Sequence, residues 1–254
     1  MKIASWNVNS LSVRLPHVLS WLKSENPDVL ALQETKTQDI HFPAEILIEN
    51  GYQVVYAGEK SYNGMALLTK IKAHALEFDM PHFPDPQRRL LAASVNDFRI
   101  INVYVPNGAQ VGSEKYKYKL TWLSELEKYL QEQIKKFNNI VLLGDFNIAP
   151  EDCDVHDPKA WEGQVLVSPA EREKWQTLLK LGLVDAFRLL KKEEKQYSWW
   201  DYRMNAFKRD RGLRIDHILI SENLKKQCRR CDIDRLPRTW ERPSDHVPVL
   251  IEVF

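Results

Sequence analysis

Side chains able to hold a hard cation and to handle a phosphoryl group gather at four places in this sequence. They are Trp6-Asn7-Val8-Asn9, Leu32-Gln33-Glu34-Thr35-Lys36, Gly144-Asp145-Phe146-Asn147 and Ser244-Asp245-His246. Together they supply three carboxylates (Glu34, Asp145, Asp245), the asparagine amides of Asn7, Asn9 and Asn147, and one imidazole (His246). Oxygen donors with few carboxylates suit Mg²⁺, which keeps several of its waters. Mn²⁺ is the expected substitute. The set does not suit zinc, because it holds no thiolate and a single imidazole. Any one cluster alone reads equally well as a turn former or a helix cap. All four lie just past apolar runs, and four such clusters in one chain argue for a shared site.

Those apolar runs are the elements that must position the clusters. Lys2 to Trp6, Asp28 to Gln33, Tyr52 to Ala57, Met65 to Thr69 and Ile140 to Leu143 read as strands. Leu90 to Val95 and Phe98 to Val105 flank Asn96-Asp97, the pattern of a hairpin. Leu213 to Ile220 and Val247 to Val253 close the series. Arg14 to Lys23, Lys115 to Lys136 and Ala170 to Leu181 read as helices. In the second of these, Leu120, Leu123, Leu130 and Ile134 form the expected buried stripe. Hairpins mixed with alternating helices and strands predict mixed sheets in an α/β chain. With no repeat, low-complexity tract or shift in composition, one domain over residues 1–254 is the simplest organisation.

Bulk properties narrow the possibilities. Apolar residues make up 44% of 254, enough for a sizeable core. Net charge is +1, from 36 basic and 35 acidic side chains, so binding of nucleic acid needs a local patch and not a global field. No run approaches the roughly 20 apolar residues of a membrane span. Cys153, Cys228 and Cys231 are too few for a disulfide framework. The Cys228/Cys231 pair lacks two further zinc ligands and reads as free thiols. A cytoplasmic protein is expected. The Lys191 to Lys195 charge run reads as a solvated loop. His17, His41, His74, His82, His156 and His217 show no ligand pattern and read as surface or structural.

The four clusters resemble those of the DNase-I-like phosphodiesterase superfamily. Glu34-Thr35-Lys36, Asn102 to Gly108, Ser168-Pro169-Ala170-Glu171-Arg172, Gly182 to Arg188, Ser198 to Arg203 and Arg211 to Asp216 are similar to bacterial exonuclease III. The likeness runs from Lys2 to Phe254, in order, and points to the exonuclease III / AP endonuclease family. It implies a four-layered α/β sandwich, with two mixed sheets face to face and helices outside. It implies that Glu34 ligates the metal, with Asn9 and Asp245 nearby. Asp145 would orient or deprotonate the attacking water, and Asn7 and Asn147 would hold the phosphate or its neighbours. His246, paired with Asp216, would donate to a phosphate oxygen. Tyr104 and Asn107 would border the scissile phosphate, and Lys36 would lie close to the metal. Without the likeness, Tyr104 reads as a core aromatic and Asp216 as a strand-end charge. Whether Asp145 or His246 is the formal base stays open at this level.

The same resemblance implies double-stranded DNA with abasic sites or 3′ ends as partner, a monomer with no obligate protein partner, and a place at the bacterial nucleoid. Trp199, Leu213 and Ile215 would line a sugar pocket, while Arg203 and the loop around Gln110 would press into the duplex. Lys208, Arg209, Arg211 and Arg214 follow the Trp199-Trp200 pair and could neutralise phosphates. Two departures stand out. Asn9 replaces the Asp of many relatives. Leu166-Val167 replaces smaller residues near the sugar pocket, which would narrow it and favour 3′-end processing over abasic incision. The rival readings are a superfamily cousin acting on a small or lipid phosphoester, and a DNA-binding relative without turnover.

Overall fold

The computed structural model describes residues 1–192 and 194–254, so position 193 of the 191–195 charge run lies outside the described residues. In chain order the strands are β1 Lys2–Asn7, β2 Val29–Gln33, β3 Gln53–Ala57, β4 Met65–Thr69, β5 His74–Glu77 and β6 Leu90–Val95. They continue with β7 Phe98–Tyr104, β8 Asn139–Asp145, β9 Leu183–Asp185, β10 Asp216–Ser221, β11 Cys228–Ile233 and β12 Val249–Val253. They form two six-stranded sheets, ordered β11-β12-β1-β2-β4-β3 and β5-β6-β7-β8-β10-β9. Each sheet contains one parallel pair, β1 with β2 and β7 with β8, among antiparallel neighbours.

Period-2 alternation explains the layering. One face of the first sheet presents Ile3, Val29, Ala31, Met65, Leu67 and Ile251. These meet Leu91, Ala93, Ile100, Val141, Leu143 and Ile218 of the second sheet in one cluster. The alternate residues Ala4, Trp6, Leu30 and Leu32 pack outward on Val18, Trp21 and Leu22 of the helix Leu11–Glu25. On the other side Ile101, Val103, Leu142 and Leu219 pack on Trp122 and Leu126 of the helix Glu114–Lys136 and on Trp175 of the helix Pro169–Lys180. Strands buried on both faces read as continuous apolar runs, as Val29-Leu30-Ala31-Leu32 does. The result is helix, sheet, sheet, helix.

The same alternation carries polar groups to one edge of the sandwich. Along β1 the inward face reads Ile3, Ser5, Asn7; along β8 it reads Val141, Leu143, Asp145; along β7, Ile100, Asn102, Tyr104. The apolar series gives way to polar side chains toward the C-terminal ends. Strand β10 runs antiparallel to β8 and pairs Asp216 with Asp145, so its polar residue comes first. Between the sheets, Gln33 Nε2 donates to Ser5 Oγ at 3.0 Å and to Asn102 Oδ1 at 2.7 Å. Asn102 Nδ2 donates to the carbonyls of Leu32 and Ala66, each at 3.1 Å. This bridge fixes the sheets' relative position just beneath the polar edge.

Several elements differ from their sequence reading. The strand expected from Leu213 to Ile220 begins at Asp216, as β10; Leu213 makes only isolated bridges, to Val155 and Trp199. Strands β5, β9 and β11 were not legible. A register shift between Cys228 and Arg230 breaks the alternation of β11, and β5 is mostly exposed. On the helix Glu114–Lys136, Leu123 and Leu130 are buried but Leu120 and Ile134 are only half-buried. Its buried face includes Lys119 and Gln133, because polar partners await both across the interface. The cysteines are free, and no described helix is long and apolar enough to cross a membrane.

Candidate active site

Asn7, at the end of β1, joins two carboxylates. Its Nδ2 donates to Glu34 Oε1 at 2.8 Å and to Asp145 Oδ2 at 2.9 Å. Single ligand atoms of Glu34, Asp145 and His246 lie within 4.8 Å of one another. Three chain segments more than 100 residues apart therefore converge. Glu34 adopts a left-handed backbone, with φ 52°, as do Asn9 and Asn147. Asparagine tolerates that region, while glutamate is held there at a cost of about 1–3 kcal/mol. The restraint is local. Ser10 N donates to the Glu34 carbonyl at 2.8 Å, Thr35 N to the Gly64 carbonyl at 3.1 Å and Lys36 N to the Asn63 carbonyl at 2.9 Å. A side chain at Gly64 would lie 2.3 Å from Thr35 Oγ1, so glycine is required for this approach. Gly144 serves Asp145 likewise: at φ 144°, a Cβ there would sit 1.9 Å from the Val103 carbonyl oxygen.

The imidazole is held from behind. His246 Nδ1–H donates to Asp216 Oδ2 at 2.8 Å, leaving Nε2 facing the cleft at 3.7 Å from Asp145 Oδ2. Ser198 Oγ also donates to Asp216 Oδ2, at 2.6 Å, and accepts from the backbone N–H of Ile215 and Asp216. Burial disfavours a charged His246, but Asp216 and then Asp145 outweigh it and push its pKa up to about 10. Asp145 moves upward from the ordinary carboxylate range, chiefly by burial and further by Asp216 and Glu34, with His246 opposing. Burial, Glu34 and Asp145 likewise raise the Tyr104 phenol, which stays protonated.

A second group surrounds Lys36. Its ammonium pairs with Glu34 Oε2 at 2.9 Å and donates to Asn9 Oδ1 at 2.5 Å. Asn9 Nδ2 donates to Asp245 Oδ1 at 2.9 Å, and Trp199 Nε1 donates to Asp245 Oδ2, also at 2.9 Å. Burial would raise the Asp245 carboxyl, but His246, Trp199 and Asn9 together hold it below its usual value. Asn107 Nδ2 donates to Asn147 Oδ1 at 3.1 Å, and Asn147 in turn reaches Asp145 through its backbone N–H (2.9 Å) and Nδ2 (3.3 Å). Hydrogen bonds thus link Asn7, Glu34, Asp145, Asn147 and Asn107 with Lys36, Asn9 and Asp245, and the Asp216–His246 pair adjoins them through the 3.7 Å ion pair to Asp145.

Two cavities border it. One, of about 490 Å³, is lined by Tyr62, Arg89, Tyr104, Asn107, Ala109 and Lys115. The other, of about 550 Å³, is lined by His156, Trp161, Trp199, Arg203, Met204 and Arg211. Leu213 and Ile215 do not line either of these. They are buried in one apolar cluster with Ala149, Val155, Leu166 and Val167, the last two being 4% and 8% exposed. Gln110 is exposed on the loop beyond Asn107, and Arg203 is exposed but paired with Asp201. Arg214 is no DNA contact: it is buried in an ion cluster with Asp154 and Asp185. His217, expected at the surface or in a structural role, is buried in the same cluster.

Reasoning from the sequence missed several supporting residues. Ser198 carries no signal beyond its place before Trp199. Arg14 donates to the Asn9 carbonyl at 2.5 Å and the Pro243 carbonyl at 2.9 Å, linking two loops of the site. Ser168 and Glu171 form an S-x-x-E capping box, which is a legible signal.

The pattern of the Endonuclease/Exonuclease/phosphatase family matches residues 4–246. The sequence is 38% identical over 266 residues to exodeoxyribonuclease III of Haemophilus influenzae, covering 99% of each chain. The fold is similar to the solved 3′ phosphatase NExo from Neisseria bound to a product DNA hairpin. That likeness has a TM-score of 0.99 and 44% identity, covering 100% of this chain and 99% of that one. It is also similar to an AP endonuclease from Archaeoglobus fulgidus, with a TM-score of 0.96, 38% identity and the same coverage. The chain belongs to the endonuclease/exonuclease/phosphatase family, among the exodeoxyribonuclease III-type hydrolytic nucleases of DNA repair.

Proposed function

We propose that this chain uses Mg²⁺ to hydrolyse phosphoester bonds of duplex DNA at 3′ ends and 5′ to abasic sites. It does so as one monomeric catalytic domain over residues 1–254, at the nucleoid of a bacterial cytoplasm. The observation that carries the reading is the convergence of Glu34, Asp145 and His246 within 4.8 Å at the open edge of the sandwich. The donor set fits a hard cation, because Glu34 Oε2 and Asn9 Oδ1 already converge on one positive charge, the Lys36 ammonium. Glu34 would hold Mg²⁺, with Asn9 and Asp245 beside it. When bound, the ion supplies charge neutralisation on the phosphoryl oxygens.

The remaining work falls to the chain's own residues. His246 is cationic, with Nδ1–H committed to Asp216, so Nε2–H is free to donate to a phosphoryl oxygen where charge develops. A cationic imidazole is a poor base, which favours Asp145 for accepting the proton of the attacking water. Asn7 and Asn147 hold that carboxylate in place from two sides. Tyr104 and Asn107 border the phosphate, and Trp199, Arg203 and the Gln110 loop offer an aromatic face and donors to the strand beyond.

Closure of the apolar cluster by Leu166 supports a preference for 3′ ends over internal abasic sugars. Leu166 has φ 78°, a conformation that favours glycine, and packs in one cluster with Leu213 and Ile215. The likeness to a 3′ phosphatase agrees with this preference. The test is a side-by-side assay with Mg²⁺ on abasic duplex, a 3′-phosphate nick and a recessed 3′ end. Chelator and Asp145→Ala should each abolish all products; turnover surviving both would sink the reading. Leu166→Gly should raise abasic incision relative to 3′-end removal by about 10-fold. An unchanged ratio would remove the gate and leave the chemistry intact.

A further inference from the structure

The helix Glu114–Lys136 buries a lysine where its apolar stripe would take a leucine. Lys119 is fully buried, as is its partner Glu171 on the helix Pro169–Lys180. An ammonium has three donors, and all three are used. They go to the Asn147 carbonyl at 2.6 Å, the Asn107 carbonyl at 3.2 Å and Glu171 Oε1. The carboxylate is equally committed. Its Oε1 accepts from Leu166 N–H at 3.0 Å, and its Oε2 accepts from Ser168 N–H at 3.1 Å and Ser168 Oγ at 2.5 Å. Tyr116 Oη and Ser168 Oγ share a further hydrogen bond at 2.6 Å.

One ion pair therefore ties together three separate loops: the one carrying Asn107, the one carrying Asn147, and the one carrying Leu166 of the apolar cluster. Stability is a poor reason to bury two full charges, since an apolar pair of similar volume commonly does as well. What an apolar pair cannot do is hold two carbonyls and two backbone N–H groups in fixed directions. The asparagines so held are linked to each other and on to Asp145.

We infer that Lys119 and Glu171 are positioning residues for turnover, holding Asn107 and Asn147 in register with Asp145 and setting Leu166 against the same frame. They touch no substrate and act through the loops. This inference rests on the phosphodiesterase reading above.

The experiment is a mutant cycle in the full chain: Lys119→Met, Glu171→Gln and the double variant. Each is assayed on duplex carrying a 3′-phosphate nick, with Mg²⁺, well below its melting temperature. Each single variant leaves a buried charge without its partner and should lose stability. The double variant removes both charges and should recover much of that loss, yet still lack the bonds to the two carbonyls. Its kcat should stay about 10- to 100-fold below wild type, the scale of a small misplacement of reacting groups. Its KM should remain within about threefold, because substrate contacts are kept. A folded double variant with kcat within twofold of wild type, or one whose loss lies wholly in KM, would overturn the inference. If the double variant does not fold, the folded fraction of Lys119→Met decides on the same criteria, since it removes the same two carbonyl bonds. Absence of turnover in wild type is a separate result and defeats the functional reading instead.

Discussion

Asp216 and His217 are neighbours in the chain, yet they face opposite sides of β10 and belong to two buried charge clusters of opposite design. Toward the sheet–sheet interface, Asp216 joins Glu34, Asp145 and Asp245, four carboxylates against the cations Lys36 and His246. Toward the helices, His217 joins Asp154 and Asp185, two carboxylates matched by Arg188 and Arg214. In the first cluster the surplus of negative charge pushes His246 up to about 10. In the second, burial and then Arg214 push His217 down to about 4. Arg214 Nη1 can only donate, so His217 Nδ1 is the acceptor, and Nε2–H donates to the Ile148 carbonyl at 2.8 Å. That histidine is neutral and its tautomer is fixed. Balanced charges make a structural core; a surplus of carboxylates at an open edge is the arrangement that a bound cation would neutralise.

If this contrast is right, the two clusters must fail differently. Asp145→Asn should lower kcat by about 10²–10⁴-fold, the usual scale for a positioned proton-transfer group, and His246→Asn by about 10²–10³-fold, that of a lost donor to developing charge. Asp145→Asn should leave the melting temperature unchanged or higher, because it relieves repulsion among buried carboxylates. Steady-state kinetics beside a thermal melt would show this, and a large loss of stability would erase the distinction between the clusters.

Arg214→Met should do the reverse. It strands Asp185 in the interior, leaves Asp154 with Arg188 alone, and should cost about 3–5 kcal/mol in urea unfolding. The protein that remains folded should keep its kcat, and a kcat deficit at full folding would place Arg214 in the site after all.

The third expectation sharpens the contrast by pH. The folded pKa of His217 lies below its ordinary value of 6.5, at about 4. The folded state binds fewer protons in that window, so its contribution is complete above 6.5 and is lost as pH falls toward 4. The loss amounts to about 3 kcal/mol. His217→Gln should flatten the fall in stability measured in urea between pH 7 and 4.5; an unchanged slope would show that other groups carry it.

The smallest effect belongs to Ser198→Ala. Ser198 Oγ is one of two donors on Asp216 Oδ2, the other being His246. Its removal should cost about 1 kcal/mol of stability and leave kcat within tenfold of wild type. A loss as large as that of His246→Asn would mean that the serine, and not the carboxylate, orients the imidazole.

Much of this arrangement was legible beforehand where period and chemistry agree. Asn7 and Asp145 stood out because each lies just beyond an apolar run, at a strand end. The runs ending at Gln33 and Asp145 were recognisable because both faces are apolar. Strand β11 was not, because its register shift hides the alternation. Lys119 was read past, because on a helical stripe a lysine reads as solvent-facing until a buried acid is known to lie opposite. Arg214 was assigned to DNA for the same reason: its charge was visible and its partners were not.

The sequence alone determined where most of the apolar runs lie and which residue types gather beyond their ends, since both follow from local composition and spacing. It could not determine which histidine is charged or which basic residue is buried. Protonation and pairing depend on charges that the fold brings to within a few ångströms from distant parts of the chain. Asp216 and His217, adjacent in sequence and opposite in role, were separated only when the two sheets and their helices closed around β10.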